Sequence, residues 1–145
     1  MLKIRSEQIR PFQPQAEDAF VERVAAYLKV NHSNELVRLP KTESLLGELP
    51  KEILSEMVKG GITRARTHGF EWKSNLLSYV VLMVIGAPNF DEHKKVAGFL
   101  KNEEIPVEER LKKMMKEMTD EDWDEIEENY NPMIWTLPMA EAKTV

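Results

Sequence analysis

The apolar positions of the chain recur with helical spacing in several separate segments. Over residues 15–30, the residues that share one helical face at i, i+4, i+7 and i+8 are Phe20, Val24, Tyr27 and Leu28. The segment that follows Pro50 shows a similar spacing as far as Gly69, and so does the segment that follows Pro106. These patterns predict amphipathic helices that each bury one side.

One further segment, NLLSYVVLMVIGAP, begins at Asn75 and is apolar on nearly every side. It is too short to span a membrane, because a span needs about 20 apolar residues. Ser74 or Asn75 can cap its start, and Gly86 followed by Pro88 marks its end. The sequence therefore predicts a helix at about 74–86 that other helices surround.

The helix predicted after Pro50 contains two adjacent glycines, Gly60 and Gly61. A glycine inside a helix costs about 1 kcal/mol relative to alanine, so either the helix kinks here or another helix approaches closely. We interpret the pair as a site of close packing against the central apolar helix.

The remaining segments complete a helical fold. Residues 31–49 contain many turn-forming residues, which predicts a loop with one turn near 43–46. Thr119, followed three residues later by Asp122, resembles a capping box and predicts a last helix before Pro132. We therefore expect an all-α protein, a compact bundle of about six helices around a buried central helix with no significant sheet, in one domain over 1–145.

Composition narrows the classes of function. The chain has 145 residues, a net charge of −5 and no cysteine, which excludes disulfides and cysteine-ligated zinc and disfavours nucleic acid as a partner. The N-terminal sequence MLKIRSEQIRPF carries four charges and lacks the apolar stretch of a secretory signal. We expect a cytoplasmic protein that does not enter a membrane.

No motif predicts an enzyme. The three histidines, His32, His68 and His93, lie in different segments, and their spacing does not match that of metal ligands. The chain lacks a GxSxG nucleophile turn, a GxxxxGK[ST] phosphate loop and a GxGxxG dinucleotide motif. We predict no catalytic residue, no cofactor and no metal.

Two regions are candidates for binding a protein partner. The first is the acidic segment 120–128, where the candidate residues are Asp124, Glu125 and Glu128; the alternative is that they form an ordinary solvated helix face. The second is the Pro-interrupted tail 131–145, where the candidate residues are Met133, Ile134, Trp135, Leu137 and Met139. This tail either folds back over the bundle or forms an exposed apolar patch.

The segment from Gly61 to Asp91 carries a pattern of the form G-I-x-R-A-x-x-x-G, a helix with a central Tyr followed by Leu-Met, and G-x-x-F-D. The residues that match are Gly61, Ile62, Arg64, Ala65, Gly69, Tyr79, Leu82, Met83, Gly86, Phe90 and Asp91. Most of them are types that pack in a core. The pattern resembles a set of small, uncharacterised helical bacterial proteins encoded beside the spike and toxin genes of type VI secretion systems.

The resemblance implies a non-enzymatic accessory to a secreted effector, and it assigns no role to any single residue. The first hypothesis is an adaptor or chaperone that binds an effector or spike through an exposed apolar surface around Met133–Met139. The second is an immunity protein that meets the basic active site of a toxin with its acidic helix. A third is a small enzyme whose site has no recognisable motif.

Overall fold

The structure is a computed structural model that describes residues 14–135, with side-chain surroundings described from Glu17 onward. Within these residues the chain forms α1 (Pro14–Asn31), α2 (Lys51–Thr67), α3 (Lys73–Ile85), α4 (Lys94–Leu100), α5 (Val107–Glu117) and α6 (Asp120–Glu128). Only two short strands, β1 (Leu36–Arg38) and β2 (Glu43–Leu45), accompany them. The predicted bundle of about six helices is confirmed, and none of these helices has the length and apolar character needed to cross a bilayer.

The two strands occupy the connection for which the sequence predicted a loop. They pair antiparallel, with Leu36 opposite Leu45 and Arg38 opposite Glu43, and a 3-10 turn over Leu46–Glu48 follows. Val37 is fully buried beneath the pair. The loop prediction was wrong here because each strand has three residues, which is too few for alternation to show in the sequence.

The central apolar run forms α3, within one residue of the predicted ends. It packs against α2 and α5. Its buried side chains are those of Leu76, Tyr79, Val80, Leu82, Met83 and Val84. The run is thus the core element that the sequence predicted.

The two adjacent glycines of α2 have different surroundings. A Cβ on Gly61 would lie 3.0 Å from Val80 Cγ2 and 3.2 Å from Met83 Sδ, so the absence of a side chain lets α3 approach closely. A Cβ on Gly60 would meet nothing within 4 Å. Close packing therefore explains Gly61, as predicted, and does not explain Gly60.

Helix ends are set by the residues that the sequence indicated. Gly69 adopts a φ of +92° just after α2, which favours glycine, and its N–H donates to the Arg66 carbonyl at 2.9 Å. At the start of α6, the Thr119 hydroxyl accepts from the Asp122 N–H at 3.1 Å. The Asp122 carboxylate accepts in return from the Thr119 N–H at 2.9 Å. The predicted capping box is confirmed.

Candidate functional site

A buried carboxylate, that of Asp91, joins three elements of the fold. Asp91 lies in the 3-10 turn Phe90–Glu92 that follows α3, and its side chain is 4% exposed. Arg64 of α2 donates from Nε to Oδ2 at 2.8 Å and from Nη2 to Oδ1 at 2.7 Å. His68 Nε2 lies 2.9 Å from Oδ2, and the Tyr79 hydroxyl of α3 donates to the same oxygen at 2.5 Å. We call these four residues the Asp91 cluster.

The Asp91 cluster keeps the carboxylate ionised. Burial acts to raise the pKa of Asp91, but the hydrogen bonds from its three neighbours and the charge of Arg64 hold that pKa well below its usual range. Because an ionised carboxylate only accepts hydrogen bonds, His68 Nε2 carries the hydrogen of their contact. Burial, followed by the negative charge of Asp91, raises the pKa of Tyr79 far above its usual value, so the phenol remains a donor.

A cleft of about 640 Å³ opens beside the Asp91 cluster. Its polar wall includes Arg64 and His68, and its other residues include Met57, Gly60, Met83, Leu100, Ile134 and Trp135. The hydroxyls of Thr63 and Thr67 also line it, but they donate to carbonyl groups of their own helix at 3.0 and 2.6 Å. His68 Nδ1 makes no hydrogen bond to the described residues and can accept one from a molecule in the cleft. This wall therefore offers an acceptor but no activated nucleophile.

The tail residues that the sequence proposed for docking differ in exposure. Trp135 is 2% exposed, and its indole N–H donates to the Tyr130 hydroxyl at 2.9 Å. That hydroxyl also accepts from the Arg38 N–H at 3.1 Å, which ties this end of the chain to β1. The expectation of an exposed apolar surface is therefore wrong at Trp135, because the indole completes the core.

The other tail candidates are placed around this tryptophan or beyond it. Ile134 is half-buried, and Met133 is 58% exposed. Leu137 and Met139 lie outside the described residues. Partner binding by Met133, Ile134, Leu137 and Met139 stays a prediction.

The acidic candidates Asp124, Glu125 and Glu128 are exposed on α6. Glu125 Oε1 lies 2.7 Å from His93 Nε2, at the start of α4. The remaining two make no ion pair with the described residues. The face is thus available to a partner, and its role stays a prediction.

One group near this face has the composition of a metal site. His93, Asp122 and Glu125 each place a ligand atom within 4.8 Å of the others. The Lys95 ammonium donates to the Asp122 carboxylate at 2.8 Å, and this bond, with the Thr119 N–H, lowers the pKa of Asp122. Because a lysine cation already compensates this carboxylate, we assign no metal to the group.

A second concavity, of about 670 Å³, runs along the outer side of α3 between α1 and α5. Leu77, Val81 and Ile85 form its floor at i, i+4 and i+8, while Tyr27 of α1 and Met115 of α5 form its walls. Ile85 is 37% exposed, Tyr27 42% and Met115 43%. We call this surface the α3 groove. It is the part of α3 that the neighbouring helices leave accessible, and it includes Met115, for which the sequence predicted an inward position.

Comparisons of the chain with protein-family models, with curated proteins and with solved structures find no match. The site is therefore interpreted from its own geometry.

Sequence reasoning missed both the Asp91 cluster and the α3 groove. Arg64, Tyr79 and Asp91 were singled out as parts of one pattern, but they were interpreted as mainly packing residues. A signal for the cluster was present, because a tyrosine inside an apolar run needs a hydrogen-bond partner for its hydroxyl. The groove had no such signal, since its openness depends on where α1 and α5 lie.

Proposed function

We propose that this protein works in the cytoplasm by binding another protein, as an adaptor or chaperone for a type VI secretion effector or spike. The observation that carries the proposal is the α3 groove, where apolar side chains line a concave, solvent-accessible surface. Contiguous apolar surface on a folded domain is typical of a protein interaction site. The resemblance of the segment Gly61–Asp91 supplies the secretion-system context.

The Asp91 cluster supports a binding role better than a catalytic one. All four of its bonds to the carboxylate are made within the fold, and they hold α2, α3 and the following turn together. A catalytic carboxylate needs at least one bond that a substrate can take over. The proposal therefore includes no chemical step, no cofactor and no nucleic acid.

The test is affinity capture from the native bacterium, with the full chain as bait and mass spectrometry as the readout. Val81→Asp places a charge on the groove floor, and Ser78→Arg fills the groove from an exposed position that does not disturb the core. Val30→Asp is the matched control, because Val30 is 80% exposed on α1 and does not line the groove. Thermal unfolding of each variant accompanies the capture.

We expect wild type and Val30→Asp to recover the same effector or spike, and the two groove variants to lose it. Ser78→Arg should do so with an unchanged unfolding midpoint. Recovery of that protein with all four baits would refute the groove as the binding surface, and recovery of no secretion component with wild type would refute the adaptor role.

The exposed acidic face of α6 favours a second candidate function, that of an immunity protein which neutralises a toxin. Charged surfaces of this kind accelerate association with a basic partner, and the effect falls as salt rises. Reversing the charges of Asp124, Glu125 and Glu128 should then slow association with the toxin at low salt. An association rate that stays the same would rule out this use of the face.

A further inference from the structure

We infer that the partner segment that fills the α3 groove is an amphipathic α-helix with acidic residues along one edge. This inference deepens the proposed function and rests on it. It concerns the chemistry of the occupant, which neither the resemblance nor the adaptor role specifies.

The shape of the groove fits a helix. Its floor residues lie on a single stripe of α3, a helix of 13 residues that is about 20 Å long. The walls come from two other helices, so the groove is a position in the bundle where one more helix can pack. A helix in such a groove contacts it through side chains at i, i+4 and i+7, which matches the spacing of Leu77, Val81 and Ile85. The Met115 wall can adapt because methionine is flexible.

Charges on the rim specify one edge of that helix. Three charged residues line the groove, all from α5 and all exposed: Glu108, Lys112 and Lys116. The two lysines lie one helical turn apart, and neither makes an ion pair with the described residues. They stand out in a chain whose net charge is −5. Two unpaired ammonium groups beside an apolar groove fit carboxylates that are also one turn apart on the partner helix.

A second copy of this chain fits the groove less well than a different protein does. The acidic helix among the described residues is α6, and it would have to present an apolar face to the groove. Its residue Ile126 is 3% exposed because that face packs on its own core. Docking α6 of another copy would therefore require unfolding part of the donor.

Two synthetic helical peptides of about 14 residues provide the probe, since this length spans the groove. Both carry leucine at i, i+4, i+7 and i+11; one has glutamate along one edge of this stripe and the other has lysine at the same positions. Binding to the full chain is measured by fluorescence anisotropy at low and at high salt. The variant Lys112→Glu/Lys116→Glu reverses the rim charge. Lys113→Glu is the matched control, since Lys113 is exposed on the same helix and does not line the groove.

We expect wild type and Lys113→Glu to bind the glutamate peptide about twofold to tenfold more tightly than the lysine peptide at low salt. The preference should shrink at high salt and reverse in Lys112→Glu/Lys116→Glu. Ser78→Arg should weaken the binding of both peptides. Together these results would support an acidic amphipathic helix as the occupant.

Three results would overturn the inference. The first is equal affinity of wild type for both peptides, or no binding of either. The second is a change of preference in Lys113→Glu as large as that in the double variant. The third is self-association of wild type in sedimentation that the double variant abolishes, which would make a second copy the occupant. If the peptides fail while capture still depends on the groove, the adaptor role stands and its partner docks in another conformation.

Discussion

The neighbouring glycines of α2 allow a sharp test of how the fold is packed, because the same substitution should have opposite effects at two adjacent positions. Gly60→Ala adds a methyl group where no atom lies within 4 Å. Gly61→Ala adds one at 3.0 Å from Val80 Cγ2 and 3.2 Å from Met83 Sδ. Both changes favour the helix equally, so their difference isolates the contact with α3.

The magnitudes follow from two terms. Replacing glycine by alanine inside a helix stabilises it by about 1 kcal/mol, in part by restricting the unfolded chain. For 145 residues this raises the unfolding midpoint by about 3 °C. At Gly61 the added methyl overpacks the interface, which costs about 1 to 3 kcal/mol. Met83 can move, but Val80 is 1% exposed and cannot turn away. We therefore expect Gly61→Ala to be about 1 to 3 kcal/mol less stable than Gly60→Ala.

Urea unfolding followed by circular dichroism measures both changes, and an unchanged slope with urea is the control for two-state behaviour. Equal stabilisation by the two substitutions would refute the close approach of α2 and α3. Destabilisation by Gly60→Ala would show that the space beside it is occupied. Because Gly60 also lines the cleft next to the Asp91 cluster, its alanine variant would then be the first to examine for a bound molecule.

Three further predictions concern the anchors of the fold. Asp91→Asn should lower the free energy of unfolding by about 3 to 5 kcal/mol at neutral pH, since it removes the counter-charge of Arg64. Because the folded-state pKa of Asp91 is lowered, its stabilisation is present above the usual carboxyl pKa of about 4 and is lost as the pH falls further. The gap between wild type and Asp91→Asn in urea unfolding should therefore narrow from about pH 5 towards pH 2. Trp135→Ala should cost about 3 to 5 kcal/mol, and a fold of unchanged stability would place the indole outside the core. Thr119→Ala should cost about 1 kcal/mol through the lost cap, with Thr42→Ala, at an exposed turn, as the control.

Local signals explain why much of the fold could be predicted from the sequence. The ends of α3 were visible because an apolar run was bounded by a possible cap and by Gly86. The capping box at Thr119 was visible because both partners lie within four residues. Gly61 could be explained because a glycine inside a helix restricts the choice to a kink or a close contact.

The parts that could not be predicted depend on contacts between distant segments. The hairpin of β1 and β2 is too short for its alternation to be recognised, and Val37 is buried only because the bundle lies beneath it. The bond between Trp135 and Tyr130 could not be inferred from an apolar tail, so its sequence left burial and exposure equally open. The Asp91 cluster needs the return of a turn after α3 to α2, and that return is set by packing.

The Asp91 cluster and the α3 groove are connected through the geometry of α3. Tyr79 is two residues from both Leu77 and Val81, which places it about 200° around the helix axis from either of them. Hydrogen bonding of Tyr79 to Asp91 therefore fixes the rotation of α3 about its axis, and the same rotation presents the groove floor on the opposite side. A partner that docks on a surface already held in place loses less conformational freedom on binding. The buried carboxylate, although distant from the groove, thus serves the binding role by fixing the helix that forms its floor.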